Sequence, residues 1–329
     1  MRQISYRQAV LEALTEEMER DERVVLIGED VGAAGGVFGQ TRGLYERFGA
    51  KRVIDTPISE SAIVGLTVGA AMAGLRPVVE IMFGDFITLG MDQLVNQAAK
   101  IHWMSNGQFR VPLVLRTSVG TGSSTGPQHS QALHAWCAHV PGLKVVFPSA
   151  AADAKALLKA AVRDDSPVVF FEDRASYAVK GPVPEGELIA PLGRAAVVRR
   201  GRDISLIAVG RCVGIALAAA ELLRQENVEA EVLDVRTLSP LDVSGLADSV
   251  RRTSRALVLD QGSRRGGLAA EIAQTLSEQV FDWLDAPVER LAAADHPVPF
   301  APALEQAVLP GAREVRSHVL RMLGRKETP

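Results

Sequence analysis

The sequence predicts an α/β protein of two successive domains, the first with a mostly parallel sheet and the second a smaller α/β unit. Three observations carry this reading. Short, continuously apolar runs alternate with stretches of helical periodicity, a Pro- and Gly-rich passage interrupts the alternation near residues 178–193, and the alternation then resumes. Strands covered on both faces read as unbroken apolar runs, and their alternation with helices indicates parallel βα units. At 329 residues, 47% hydrophobic and with a mean hydropathy of +0.11, the chain can bury two cores.

The amino terminus, "MRQISYRQAVLEALTEEMERDERV", reads as an amphipathic helix with many acids. It lacks the basic start and apolar centre of a signal peptide, and a transit peptide would lack the acids. "RVVLIGED" (23–30), "RPVVEIMF" (76–83), "VPLVLRTSVG" (111–120), "LKVVFPS" (143–149) and "PVVFFE" (167–172) read as buried strands. "LGMDQLVNQAAKIHWMSN" and "SAAADAKALLKAAVRDD" read as helices between them. "VIDTPISESAIVGLTVGAAMAGL" (53–75) is a strand-like run, a Thr-Pro turn and a long apolar helix. In "AVKGPVPEGELIAPLG", Pro182, Pro184 and Pro191 with Gly181, Gly186 and Gly193 mark a connector. The expected organisation is a first domain over 1–180, a linker over 181–197 and a second domain over 198–329. In the second, "DISLIAVG", "AEVLDVRTL" (230–238), "RALVLDQG" and "PVERLAA" are strands. "CVGIALAAAELLRQEN", "GGLAAEIAQTLSEQV" and the final amphipathic stretch are helices.

Charge and composition exclude several classes. With 36 basic and 39 acidic residues the net charge is −3, so nothing favours a nucleic-acid partner. The two cysteines, Cys137 and Cys212, form no CxxC pair, which argues against a disulfide framework or structural zinc and fits a reducing, cytoplasmic setting. The longest nearly apolar run, Ala62 to Leu75, falls short of the ~20 residues that span a bilayer.

Four features can carry chemistry. "SVGTGSSTGPQHSQ" (118–131) follows a strand, and its small residues would let the backbone approach a ligand. Its spacing is neither a dinucleotide fingerprint nor a P-loop, and by itself a structural turn is the better explanation. His129 sits in that loop, where a histidine after a buried strand can approach a ligand. His134 and His139 follow at intervals of five, about 500° of helix rotation, so they do not share the face a metal pair needs. Phe83 and Phe86 can wall a flat ring or simply pack in the core. Glu60 opens the apolar helix. There it can favour the helix dipole, with Ser59 as cap. Alternatively, near a close-packed interface made by Gly65, Gly69, Ala70, Ala71 and Ala73, desolvation would suit it to proton donation.

Taken together, "GEDVG" (28–32), "IDTPISESAIVGLTVGAAMAGLRPVVE" (54–80), "DQLVNQAAK" (92–100), "QHSQ" (128–131), "PGLKVVFPS" (141–149) and "VRTLSPLD" (235–242) resemble the beta subunit of the thiamine-diphosphate-dependent 2-oxo acid dehydrogenase component. That family includes the pyruvate, branched-chain and acetoin dehydrogenases, and the resemblance runs from about residue 3 to 325. It implies a transketolase-like fold: a pyrimidine-binding α/β domain, then a carboxy-terminal α/β domain. It implies that Glu60 hydrogen-bonds the aminopyrimidine ring of the cofactor, that Ile58 and Phe86 pack against that ring, and that His129 faces the reacting centre. The diphosphate and Mg²⁺ are held in this superfamily by a Gly-Asp-Gly segment and a later asparagine. No Gly-Asp-Gly occurs here, so an alpha subunit is expected to supply those ligands in an assembly of two alpha and two beta chains. Some relatives bind K⁺ through backbone carbonyls, and the matching positions are Leu113, Ala161, Asp164 and Ser166.

The implied activity is cleavage of a bond beside a carbonyl and reductive acylation of a lipoyl group on a dihydrolipoyl acyltransferase partner. Glu60 would be the proton donor to the ring, and His129 the donor or charge stabiliser during acyl transfer. "GGVFGQTRGLYERFG" and "HPVPFAPALEQAVLP" are most similar to the acetoin and bacterial pyruvate types. Two alternatives stand beside this: the carboxy-terminal half of a split transketolase, and a non-catalytic partner subunit that keeps the fold.

Overall fold

A computed structural model describes residues 1–325 and separates into two compact units. The first comprises Met1–Gly120, Gln128–Leu192 and Leu238–Pro240, and the second comprises Thr121–Pro127, Gly193–Thr237 and Leu241–Pro329.

In chain order the first unit holds β1 (Arg2–Ser5), α1 (Tyr6–Arg20), β2 (Val24–Gly28), α2 (Leu44–Phe48), β3 (Val53–Asp55), α3 (Glu60–Met72) and β4 (Arg76–Phe83). A 3₁₀ segment, Gly84–Gly90, and a π segment, Gln93–Ala98, lead to α4 (Ile101–Met104) and β5 (Val114–Val119). Then come α5 (His134–Ala138), β6 (Lys144–Val146), α6 (Ala151–Arg163), β7 (Val168–Asp173) and β8 (Lys180–Val183). The second unit holds β9 (Ala196–Arg199), β10 (Ile204–Ala208), α7 (Cys212–Gln225) and β11 (Ala230–Asp234). After β12 (Thr237–Ser239) it continues with α8 (Val243–Thr253), β13 (Ala256–Ser263), α9 (Leu268–Val280), β14 (Glu289–Ala293), α10 (Pro302–Gln306) and α11 (Ala312–Met322).

Among the described residues the first unit's main sheet runs β12-β6-β7-β5-β4-β2-β3, and the pairs from β6 to β3 are parallel. The second unit's sheet runs β14-β13-β10-β11-β9, parallel except for the edge strand β9. Both are the covered parallel sheets that the apolar runs predict: β2, β5, β7, β10 and β11 are buried along their whole length. No helix among the described residues is long and apolar enough to cross a membrane.

Three expectations change. The amino-terminal stretch is not one helix, because Arg2–Ser5 pairs antiparallel with Lys180–Val183 and the helix starts only at Tyr6, where the Ser5 side chain accepts from Gln8 N. Backbone pairing with a distant segment overrides local periodicity. The stretch 89–106 is not one helix either but passes through 3₁₀, π and α geometry. Gly90, which ends the 3₁₀ piece, lies against α3, where a Cβ would stand 2.8 Å from the Val64 side chain. Residues 230–238 split at Arg236, which has φ 56°, and the second piece joins the first unit's sheet as β12.

A buried ion triad crosses the centre of the first sheet. Arg116 on β5 donates to Glu80 on β4 at 2.9 Å and to Glu172 on β7 at 2.8 Å, and all three are at least nine-tenths buried. Burial raises the Glu172 carboxyl, opposed by the Arg116 charge, and the Tyr177 phenol also hydrogen-bonds it. On the flank, Lys155 and Lys159 of α6 bind Glu12 and Glu16 of α1, and Arg163 binds Glu17. Removing one member of a buried pair strands the other charge, so Arg116→Met should cost about 3–5 kcal/mol, and replacing all three by apolar residues should recover most of it. Urea unfolding midpoints of the single and triple variants measure this.

Candidate functional site

The candidate site occupies the carboxyl ends of the first unit's parallel strands, where open α/β sheets bind ligands. The turns after β2 and β3 are tied together. Gly32 N donates to Asp55 Oδ1 at 2.7 Å and Thr56 N to Gly28 O at 3.0 Å. A Cβ on Gly32 would fall 2.4 Å from the Asp55 carboxylate, so only glycine permits this approach. The first turn carries Glu29, and the second runs through Pro57, Ile58 and Ser59 into α3.

Glu60 is the first residue of α3 and is only 7% exposed, whereas Ile58, two residues earlier, is 81% exposed. Ser59 stands at the N-cap but makes no side-chain capping bond, contrary to expectation; its φ of −167° and ψ of 76° lie off the usual cap geometry. Burial pushes the Glu29 carboxyl above its ordinary value, and the negative charge of Glu60, then that of Asp30, pushes it further. Glu29 and Glu60 therefore form a repelling carboxylate pair. The "GEDVG" motif is visible in the sequence, but the coupling is not, because a turn and a strand separate the two residues.

Aromatic rings gather beside these turns. The register of β4 against β5 shifts between Ile81 and Phe83, a bulge that re-aims Phe83. The next residue must be glycine, since a Cβ on Gly84 would meet Val119 Cγ1 at 2.3 Å. Phe83, Phe86 and His129 then meet edge-on: Phe83–His129 at 4.8 Å, Phe86–His129 at 5.2 Å and Phe83–Phe86 at 5.8 Å between ring centres. Such T-shaped contacts suit the ring quadrupoles. Phe38 packs on Phe83 from another side, at 5.7 Å.

The backbone around His129 is pinned from two directions. Gln131 donates to Asp85 Oδ1 through its N–H at 3.2 Å and its side chain at 2.8 Å. Arg174 Nη2 donates to His129 O at 2.7 Å and Gly120 O at 2.8 Å. Asp85 and Arg174 are both buried and were not singled out from sequence, since neither belongs to a recognisable motif. Helix α3 packs on the 3₁₀ segment that carries Phe86, with Glu60 O 3.4 Å from where a Gly90 Cβ would stand. The structure thus joins Phe86 to His129 directly and sets Ile58 and Glu60 at the head of the helix packed on the same segment.

The glycine-rich loop has a different local use. In the second unit, Gly122, Ser123 and Ser124 N–H groups donate to the Glu305 carboxylate at 2.8, 3.3 and 3.0 Å. The chain's own anion fills this backbone nest. Gly126, at φ 76°, leaves room for the Phe300 ring, which a Cβ would meet at 2.2 Å.

His134 is buried against Phe147 and Phe171, and His139 is exposed. Among the described residues no group of three or more His, Cys, Asp or Glu could hold a metal ion. Of the carbonyls considered for K⁺, Leu113 O accepts from Val168 N, Ala161 O from Asp164 N, and Asp164 O from Arg76 Nη2 at 2.6 Å. The Asp164 carboxylate accepts from Ser166 N at 2.8 Å.

Glu29→Gln tests the carboxylate pair. A carboxyl held above its unfolded pKa supports the fold only at low pH, and that support is lost as pH rises through the folded value. The variant should therefore melt at a higher temperature than the wild type at pH 7, and the two should converge below about pH 4. Thermal melts across this range read the difference.

Comparisons with known proteins identify the family. Residues 2–180 match the family "Transketolase, pyrimidine binding domain", and residues 193–315 match "Transketolase, C-terminal domain". The chain is 46% identical over 335 residues to the acetoin:2,6-dichlorophenolindophenol oxidoreductase subunit beta of Bacillus subtilis, covering 98% of each. It is 46% identical over 305 residues to the 2-oxoisovalerate dehydrogenase subunit beta of the same organism, covering 92% of this chain and 93% of that one. It is 44% identical over 318 residues to the mitochondrial pyruvate dehydrogenase E1 component subunit beta-1 of Arabidopsis thaliana, covering 95% and 88%. Among solved structures, a split gene transketolase described as an inactive beta4 tetramer superposes with a TM-score of 0.79 at 22% identity over 98% of this chain and 99% of that one, a likeness of fold. The chain belongs to the family of transketolase-like beta subunits of the pyruvate, acetoin and branched-chain 2-oxo acid dehydrogenases.

Proposed function

We propose that this chain is the beta half of a thiamine-diphosphate-dependent dehydrogenase that acts on a 2-oxo acid or acetoin and passes the acyl group to a lipoyl group of a dihydrolipoyl acyltransferase. The observation that carries the reading is the head of α3: a buried Glu60 carboxyl beside an exposed, apolar Ile58. A flat, partly polar ring needs that combination, a hydrogen-bonding carboxyl at its edge and apolar surface against its face. Phe86 offers a second apolar face and His129 a titratable group in contact with it.

When bound, thiamine diphosphate supplies the electron sink for cleavage of the bond beside the substrate carbonyl. Glu60 holds and donates a proton to a ring nitrogen. Ile58 and Phe86 would pack against the ring and exclude water from it. His129 donates a proton or stabilises charge while the acyl group leaves for the lipoyl sulfur. Mg²⁺ and the diphosphate take their ligands from an alpha subunit, in an assembly of two alpha and two beta chains. Ala62, Leu66 and Gly69 on the exposed side of α3 supply the small and apolar surface for such an assembly. Cys137 and Cys212 are both buried and lie far apart in sequence, which suits a reducing cytoplasm. K⁺, if bound, would be held by the backbone carbonyls of Leu113, Ala161, Asp164 and Ser166, of which Asp164 O already accepts from the Arg76 guanidinium at 2.6 Å.

A split transketolase is the rival that the fold likeness suggests. The identities of 44–46% to dehydrogenase beta subunits, over nearly the whole chain, favour the dehydrogenase. With the alpha partner present, lipoyl-dependent acyl transfer is expected and ketol transfer between sugar phosphates is not. Glu60→Gln, assembled normally, should lose about 100-fold or more of turnover; near wild-type turnover would refute the role given to it. His129→Ala should lower acyl transfer to lipoyl by about 100-fold while decarboxylation, followed with an artificial oxidant, falls much less. A loss confined to decarboxylation contradicts the assignment.

A further inference from the structure

We infer that Arg174 is a positioning residue that fixes His129 in the site by clamping both ends of the loop that delivers it. The inference rests on the role of His129 proposed above. Arg174 opens the 3₁₀ turn directly after β7 and is 8% exposed. The first unit loses the chain at Gly120, at the end of β5, and regains it at Gln128. One nitrogen of the guanidinium, Nη2, donates to the carbonyls of Gly120 and His129, which bracket the excursion. Its central carbon lies 5.2 Å from the centre of the Phe83 ring, the same ring that meets the His129 imidazole at 4.8 Å.

This arrangement makes one cation hold three things. It joins the two ends of an eight-residue excursion, which otherwise cost closure entropy to keep together. It anchors the His129 backbone by a charge-assisted bond. It steadies the ring against which the imidazole rests by a cation–π contact. The planar fork of arginine suits this task, whereas a lysine ammonium is a compact, strongly hydrated point charge. Arg174 bonds the His129 backbone and faces the Phe83 ring, and in this reading it does not touch the substrate. Its effect travels through the geometry of His129.

The test is a double-mutant cycle in the complex assembled with the alpha subunit. Arg174→Met should reduce lipoyl acylation by about tenfold or more with KM for the 2-oxo acid changed less than about twofold, because misplacing a reacting group by an ångström can cost 10²-fold. Arg174→Lys should fall between Met and wild type, and it carries the same cycle if Arg174→Met does not assemble. In a His129→Ala background, either substitution should cause little further loss, since the two act as one unit. Diethyl pyrocarbonate should modify His129 at least about threefold faster in Arg174→Met, read by mass spectrometry of the intact complex, as a freed loop exposes the ring. If His129→Ala keeps full acylation, the functional reading of His129 itself fails. If His129→Ala is impaired but Arg174 variants are wild type, or their losses multiply with it, the positioning inference is overturned.

Discussion

Arg116 between Glu80 and Glu172 is the constraint on which the first unit depends. Its guanidinium crosses three neighbouring parallel strands, β4, β5 and β7, and bonds a carboxylate on each outer one. Such a group is costly to bury and far costlier to leave half-paired, so the three strands can adopt only the register that brings these residues together. The same strands end in Phe83, in the exit of the chain at Gly120, and in Arg174. The ionic cross-link inside the sheet thus sets the positions from which the ring cluster is built.

Beyond the strand ends, the site relies on close approaches and repulsion that a stable core would avoid. Gly32, Gly84 and Gly90 each occupy places where a Cβ would collide with a neighbour. They let turns from separate strands converge within hydrogen-bonding distance. At the same strand ends, burial raises the Glu29 carboxyl, and the charges of Glu60 and Asp30 raise it further. A sheet optimised only for stability would not place two acids there.

The second unit applies a different economy. Its five-stranded sheet carries a buried hydroxyl chain, Ser205 to Ser249 and Thr253, ending on Glu231. Within the same unit the glycine-rich loop folds around Glu305. That loop looks like a ligand cradle in sequence because cradles and internal anion nests need the same small residues. Only the position of Glu305, far along the chain, reveals which it is.

What the sequence determined by itself is considerable. Continuous apolar runs at 76–83 and 167–172 specify buried parallel strands because every position along them faces packed protein. The motif around Glu60 identifies the head of α3, since turn residues followed by a helix are a local signal. Local signals failed wherever partners were distant. Arg2–Ser5 became a strand through Lys180–Val183, and the long helical pattern after Leu89 passes through 3₁₀, π and α pieces. Arg174, Asp85 and the Glu29–Glu60 pair were invisible for the same reason. A hydrogen bond to a carbonyl or a repulsion between carboxyls leaves no periodicity in the chain, and its partner is chosen by the packing of the strands. The tertiary structure alone decided which polar groups face one another, because those choices depend on ångström distances that sequence spacing does not encode.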